Sequence, residues 1–371
     1  MTRSRLFLCG DVMLGRGVDQ ILAHPSHPQL YEPYVQSATD YVHLAETANG
    51  PIPRAVAPDY VWGDALAVLD AAQPVARIIN LETAITTSDH PWPKSINYRM
   101  HPDNVVTLTA ARIDCCVLSN NHVLDWGRAG LLETIATLRR AGIKTAGAGC
   151  DMHEAAAPAA LRMQGDARAL VFGFAAVTSG VPREWAADAR TPGVNLLPDL
   201  SAATASRLCA TARQHRRPGD LVIASIHWGH NWGYGIPESH RRFARALIDG
   251  GFDMVHGHSS HHPLGLEIYR QKLILYGCGD FINDYEGIAG YESYRDDLVV
   301  MYLPQFEIET GWLTALELQP MQIRRFRLNR PSAPDAAWLH DVLARESGRL
   351  GACITLRADN SFILKGGSAC A

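Results

Sequence analysis

The chain has 371 residues, 47% of them hydrophobic and 19% charged, with a formal net charge of −4 at pH 7. Those values exclude a disordered or fibrous chain and allow one large domain with an appendage. The slight negative balance, with no long Lys/Arg run, excludes the broad positive field that nucleic acid or an anionic membrane attracts, and no apolar run reaches the roughly 18 residues of a membrane span.

In chain order, RLFLCGD reads as a first strand that ends at Asp11. Its basic start suggests a secretory leader, but Gly10-Asp11 and Arg16 interrupt the apolar run, so a strand is expected. ARIINLE then ends at Asn80 and Glu82, and IDCCVLSNNH ends at Asn120, Asn121 and His122. GLLETIATLRRAG (130–142) has helical spacing and closes on Gly. DLVIASIHWGH ends at His227 and His230, a second helix follows over 238–251, and GFDMVHGHSSHH brings four histidines, His256, His258, His261 and His262. KLILYGCGDFIND ends at Asp280, Asn283 and Asp284. Beyond residue 305 a strand and a helix are expected to close the domain, without chemistry. The eight cysteines form no CxxC pair and mostly sit in apolar runs, which reads as reduced, buried thiol in a cytoplasmic protein.

The recurring pattern is a short β-type run that ends in polar side chains. Strands alternating with helices imply βαβ units, whose ligands bind beyond the carboxyl ends of the strands. One rim would then gather Asp11, Glu82, Asn121, His122, His227, His258 and His261 from distant parts of the chain. Mixed oxygen and imidazole donors suit Zn, Mn or Fe, one ion or two, better than Mg or Ca. Such a site suits hydrolysis by water activated on the metal. Glu82 could bridge two metals, and His122 could protonate a leaving group.

Seven blocks carry a family resemblance: GDVMLGR (10–16), NLETAI (80–85), LSNNHVLDWG (118–127), IHWG (226–229), ALIDGGFD (246–253), VHGHSSHHPLGLE (255–267) and LYGCGDFIND (275–284). In these the chain resembles the bacterial capsule synthesis protein CapA, or poly-γ-glutamate synthesis, family of the calcineurin-like metallophosphoesterase superfamily. The resemblance implies a four-layer αββα sandwich with two mixed β-sheets, where strand and helix alternation alone suggests one open sheet. It implies a CapA-like domain over residues 1–320 and a C-terminal extension over 321–371 that packs on it. It assigns Asp11 to a first metal, Glu82 to the bridge, Asn121, His227 and His258 to a second metal, and His261 back to the first, with His122 as general acid. The implied activity is hydrolysis of a phosphoester or a γ-glutamyl-type amide in a small anionic substrate; the alternative is a non-catalytic binding or assembly protein for poly-γ-glutamate or capsule synthesis. Many relatives carry a membrane anchor or export signal that this sequence does not show, which suggests a cytoplasmic protein acting on a soluble compound.

Three departures from the superfamily pattern stand out. Met13 replaces the histidine of Asp-x-His, Glu82 replaces aspartate, and two serines rather than one residue separate His258 from His261. Arg16 is a candidate anion clamp and Arg99 a second substrate contact, because guanidinium offers paired donors to phosphate or carboxylate. Trp228 and Trp232, which flank His230, are candidate pocket walls, and His230 is a candidate substrate contact or extra ligand. His256 is expected on the opposite face of its strand from His258, and His262, before a proline, in a supporting role.

Overall fold

The structure, a computed structural model, describes residues 2–365. The strands of its two large sheets are β1 (Arg3–Val12), β2 (Ala76–Leu81), β3 (Cys115–Val117), β4 (Lys144–Ala146), β5 (Ala159–Arg162), β6 (Arg168–Ala175), β7 (Leu221–His227), β8 (Met254–His258), β9 (Leu266–Tyr269), β10 (Lys272–Leu275), β11 (Asp280–Ile282), β12 (Leu298–Glu307), β13 (Trp312–Ile323), β14 (Leu328–Asn329), β15 (Thr355–Leu356) and β16 (Phe362–Lys365). Its longer helices are α1 (Ala38–Asn49), α2 (Ala65–Ala72), α3 (Gly127–Arg140), α4 (Ala202–His215), α5 (Glu238–Asp249) and α6 (Ala333–Gly348).

A ten-stranded mixed sheet runs β15-β16-β13-β12-β1-β2-β3-β4, with β11 beside β1 and β14 beside β13; a six-stranded mixed sheet runs β9-β10-β8-β7-β6-β5. Side-chain alternation separates the layers. In β1, Phe7 and Cys9 join Val42 of α1, Leu69 of α2 and Leu131 of α3 in one core, while Leu6 and Leu8 meet Val171, Ile223 and Met254 of the second sheet in another. On the far side, Phe172, Phe174 and Ile226 pack against Cys209 of α4 and Phe243 of α5. The result is the expected four-layer αββα sandwich.

The expected boundary at residue 320 falls inside β13. Downstream, β14, β15 and β16 extend the first sheet, and Leu339 and Leu343 of α6 enter the core between the sheets. Residues 321–365 are therefore built into the fold rather than laid upon it; 366–371 lie outside the described residues. The expectation of reduced cysteines holds for Cys9, Cys115, Cys116, Cys150, Cys209 and Cys278, which are free, although Cys150 is exposed; Cys353 is disulfide-bonded. Among the described residues no helix is long and apolar enough to cross a membrane.

Candidate metal centre

The carboxyl ends of the two sheets meet at one rim, and strand register decides which side chains touch. In the first sheet β1 pairs in parallel with both β2 and β11, setting Asp11 opposite Asn80 on one side and Asp280 on the other. Gly10 makes this possible: a Cβ there would lie 1.7 Å from the carbonyl oxygen of Gly279, so any side chain would force β11 away. In the second sheet β7 and β8 pair in parallel with His227 opposite His258.

Asp11 accepts from Asn80 Nδ2 at 2.7 Å and from the Ser259 amide at 3.1 Å, and its Oδ1 lies 3.8 Å from His258 Nδ1. Ser259 has φ +101°, an unusual conformation for a side chain with Cβ, and this turn aims its amide at the carboxylate. The two-serine spacing thus supplies a main-chain donor. Glu82 Oε1 lies 3.8 Å from His122 Nε2 and 3.9 Å from His227 Nε2, and Asn121 Oδ1 is 3.0 Å from His227 Nε2. His261 pairs through Nδ1 with Asp280 at 2.9 Å and through Nε2 with Asn231 Nδ2 at 2.9 Å.

His256 shares a face with His258, correcting the expectation that it points away: the two are two residues apart, and side chains in a strand alternate with period two. Both rings contact Ser225 Oγ, and His256 Nε2 lies 2.8 Å from the Cys9 carbonyl. A carbonyl only accepts, so Nε2 of His256 carries hydrogen and, in the neutral ring, Nδ1 accepts from Ser225. Ser225 then accepts from His258 Nε2, which leaves a lone pair on His258 Nδ1. His227 Nδ1 faces that nitrogen at 2.8 Å.

Electrostatics fit a cation at this point. Burial, reinforced by Asp280, pushes Asp11 up to about 7; burial and then Asp11 raise Glu82. Burial holds His227 and His258 well below the usual histidine range, so both rings are neutral and offer lone pairs. Donor atoms of Asp11, His227 and His258 lie within 4.8 Å of one another, all buried. Buried carboxylates whose charge is penalised, beside neutral imidazoles, form a donor set that a divalent ion satisfies.

Next to this cluster His122 Nδ1 pairs with Asp125 Oδ2 at 2.6 Å, and Lys94 Nζ lies 2.6 Å from Asp125 Oδ1 and 3.2 Å from His122 Nδ1. Burial outweighs the Asp125 charge and lowers His122 to about 4. Asp280, Asp125, Lys94, Ser225 and His256 belong to the site beyond the residues expected. Asp125 carries a legible signal, standing three residues after His122. Lys94 carries none, since it arrives on a separate loop.

Four expected contacts take other roles. Arg16 is buried, doubly bonded to Asp284 and paired with Glu32 at 3.0 Å, so its charge is already neutralised and it is no free anion clamp. Arg99 donates to the Ser88 carbonyl and Asp89 and lies over the Trp126 ring, binding loops together away from the cluster. Trp228 is buried, donates to the Tyr276 carbonyl and stacks on His240. His230 is exposed in a separate hollow with Trp228 and His240. Met13 is buried, and its sulfur accepts from the Tyr285 hydroxyl at 3.8 Å. His262 accepts from the Gly233 amide and stacks on Tyr294, a supporting role.

Residues 5–285 match the family model described as bacterial capsule synthesis protein PGA_cap. The chain belongs to this family. A probable polyglutamine synthesis accessory protein of Mycobacterium tuberculosis is 48% identical over 357 residues, covering 96% of this chain and 94% of that one. The PGA biosynthesis protein CapA of Bacillus subtilis is 25% identical over 79% of this PGA_cap chain and 66% of its own. Among solved structures, a 5'-nucleotidase precursor from Thermus thermophilus aligns with TM-score 0.44 and 14% identity, over 94% of this chain and 59% of that one.

Proposed function

We propose that this protein is a metal-dependent hydrolase that cleaves a phosphoester or a γ-glutamyl-type amide in a small anionic substrate. One observation carries the reading: Glu82 links the buried Asp11–His227–His258 donor cluster to the His122–Asp125 pair, its Oε1 lying 3.9 Å from His227 Nε2 and 3.8 Å from His122 Nε2. Asp11, Glu82, Asn121, His227, His258 and His261, joined by Asp280, would hold one or two divalent transition ions, Mn, Zn or Fe by their donor chemistry. When bound, such an ion supplies Lewis acidity and a water of lowered pKa. His122, its Nδ1 held by Asp125, exchanges a proton with the leaving group at Nε2, the nitrogen that faces the cluster. The short wall of Asn80 and Ser259 donors keeps the Asp11 carboxylate fixed.

A cytoplasmic location belongs to this reading; five buried free thiols agree with it and the disulfide at Cys353 counts against it. The second reading, a non-catalytic accessory protein of poly-γ-glutamate or capsule synthesis, is favoured by the name of the 48%-identical relative and by Met13 standing where the superfamily has a ligand.

Metal analysis of protein purified without chelator, followed by a screen of phosphoesters against γ-glutamyl amides with added Mn or Zn, tests the choice. Turnover that needs metal and disappears in His122→Ala supports the hydrolase. Less than about one equivalent of bound transition metal, with no turnover in the presence of Mn or Zn, overturns it.

A further inference from the structure

Beside His261 opens a cavity of about 490 Å³ whose lining includes, of the residues singled out in the sequence, His261, the neutralised Arg16 and Trp232. Its walls are aromatic and aliphatic: Tyr34, Tyr41, Trp232, Tyr285, Tyr291 and Ile288. Trp232 and Tyr291 stack face to face, 4.0 Å between ring centres at 6°, and form a flat panel. Tyr34 at the mouth is 96% exposed, so its ring is free to close on an occupant.

Both cationic side chains in the walls are already engaged, His261 by Asp280 at 2.9 Å and Arg16 by two carboxylates. Arg16 is spent on Asp284 and Glu32, and Glu32 is further satisfied by the Tyr41 hydroxyl. That trio carries one net negative charge. Asp296, also in the wall, accepts from its own backbone amide, and among the described residues no side chain pairs with it. An anion would meet the Asp296 carboxylate here and, among the described residues, no unpaired cation, only neutral hydroxyls such as those of Tyr34, Tyr291 and Ser95. A cation would meet Asp296 and the negative faces of several rings, the arrangement that holds ammonium groups.

We infer that this cavity binds an organic ammonium group on an apolar stem, with Asp296 as its counter-ion and the Trp232–Tyr291 panel as its wall. The inference rests on the proposed hydrolase reading for the identity of the occupant: the cationic arm of a substrate whose reacting, anionic end lies at the metal cluster. It narrows the substrate class from small anions to zwitterionic or amine-bearing compounds.

The test is a titration of phenethylamine against its neutral isostere 2-phenylethanol and the anion 3-phenylpropanoate. Binding is followed by calorimetry and tryptophan fluorescence on the full chain, with chelator present. The expected result is that the amine binds at least about tenfold more tightly than the alcohol, the anion binds weakest, and Asp296→Asn removes the preference for the amine. Tyr34→Ala, at an exposed position, weakens the amine with no change in melting temperature, which keeps the inference testable should Asp296→Asn fold poorly. Equal affinity for amine and alcohol, preference for the anion, or no binding of any probe overturns it. So does an Asp296→Asn variant that keeps amine binding but loses Mn binding, which would make Asp296 a metal ligand. Because chelator is present throughout the amine titrations, failure here leaves the hydrolase reading standing, whereas absence of metal from the protein sinks that reading and leaves this result unchanged.

Discussion

His256 Nε2 donates to the Cys9 carbonyl across 2.8 Å, tying the second sheet to the first two residues before Asp11. The bond fixes one proton, and through Ser225 it orients the lone pair of His258. His256→Phe and Ser225→Ala should therefore weaken metal binding by roughly 10- to 100-fold, though neither residue is a ligand. Titration with Mn or Zn against a competing chelator measures this. Unchanged affinity in both variants would show that His258 needs no such relay.

Lys94 neutralises the carboxylate that orients His122. Lys94→Met leaves Asp125 buried without its ion pair, and both the position and the proton affinity of His122 then change. Turnover should fall by about 10-fold or more with metal content and KM nearly unaltered, while Asp125→Asn costs roughly 10²- to 10⁴-fold. Parallel kcat, KM and metal measurements separate the two. A fall in metal content alongside kcat would mean that the loop holds the cluster instead of the proton donor.

Ser259 at φ +101° bears conformational strain in order to present its amide to Asp11. Ser259→Gly should raise stability by about 1 kcal/mol and keep the amide contact, whereas Ser259→Val should lower stability by about 2 kcal/mol. Chemical denaturation in the metal-free state reads both. Equal effects of Gly and Val would argue against strain at this turn.

His240 titrates away from the metal cluster. Buried under Trp228, with the nearby His230 adding to the effect, it is lowered from 6.5 to about 4. The unfolded chain then binds a proton more readily than the fold between those values. Its contribution is fully present above pH 6.5 and is lost as pH falls towards 4, with a ceiling of about 3 kcal/mol. Compared with His240→Phe, which keeps the stack on Trp228, the native protein should lose stability more steeply from pH 6.5 to 4. Matching slopes in denaturation midpoints across that range would remove His240 as the cause.

Strand and helix alternation alone suggests one open sheet; the αββα layering is legible only through the family resemblance of the seven blocks. The strand ends carrying Asp11, Glu82, His122, His227 and His258 could be read because strands alternate with helices and the polar clusters recur at their carboxyl ends. Arg16 and Arg99 are not legible as structural because a sequence shows a cation but not the carboxylates and carbonyls that engage it. His256 was misplaced although period-two alternation, applied to His256 and His258, was enough to put both on one face.

By itself the sequence determined which side chains stand at the ends of short apolar strands, because that depends on residue type and local spacing. Tertiary structure alone decided that Asp280 sits against Asp11 and His261, that Lys94 reaches Asp125, and that Asp296 faces an aromatic cavity. These contacts join segments from distant parts of the chain across two sheets. Their existence depends on strand register and sheet packing, which no local pattern encodes.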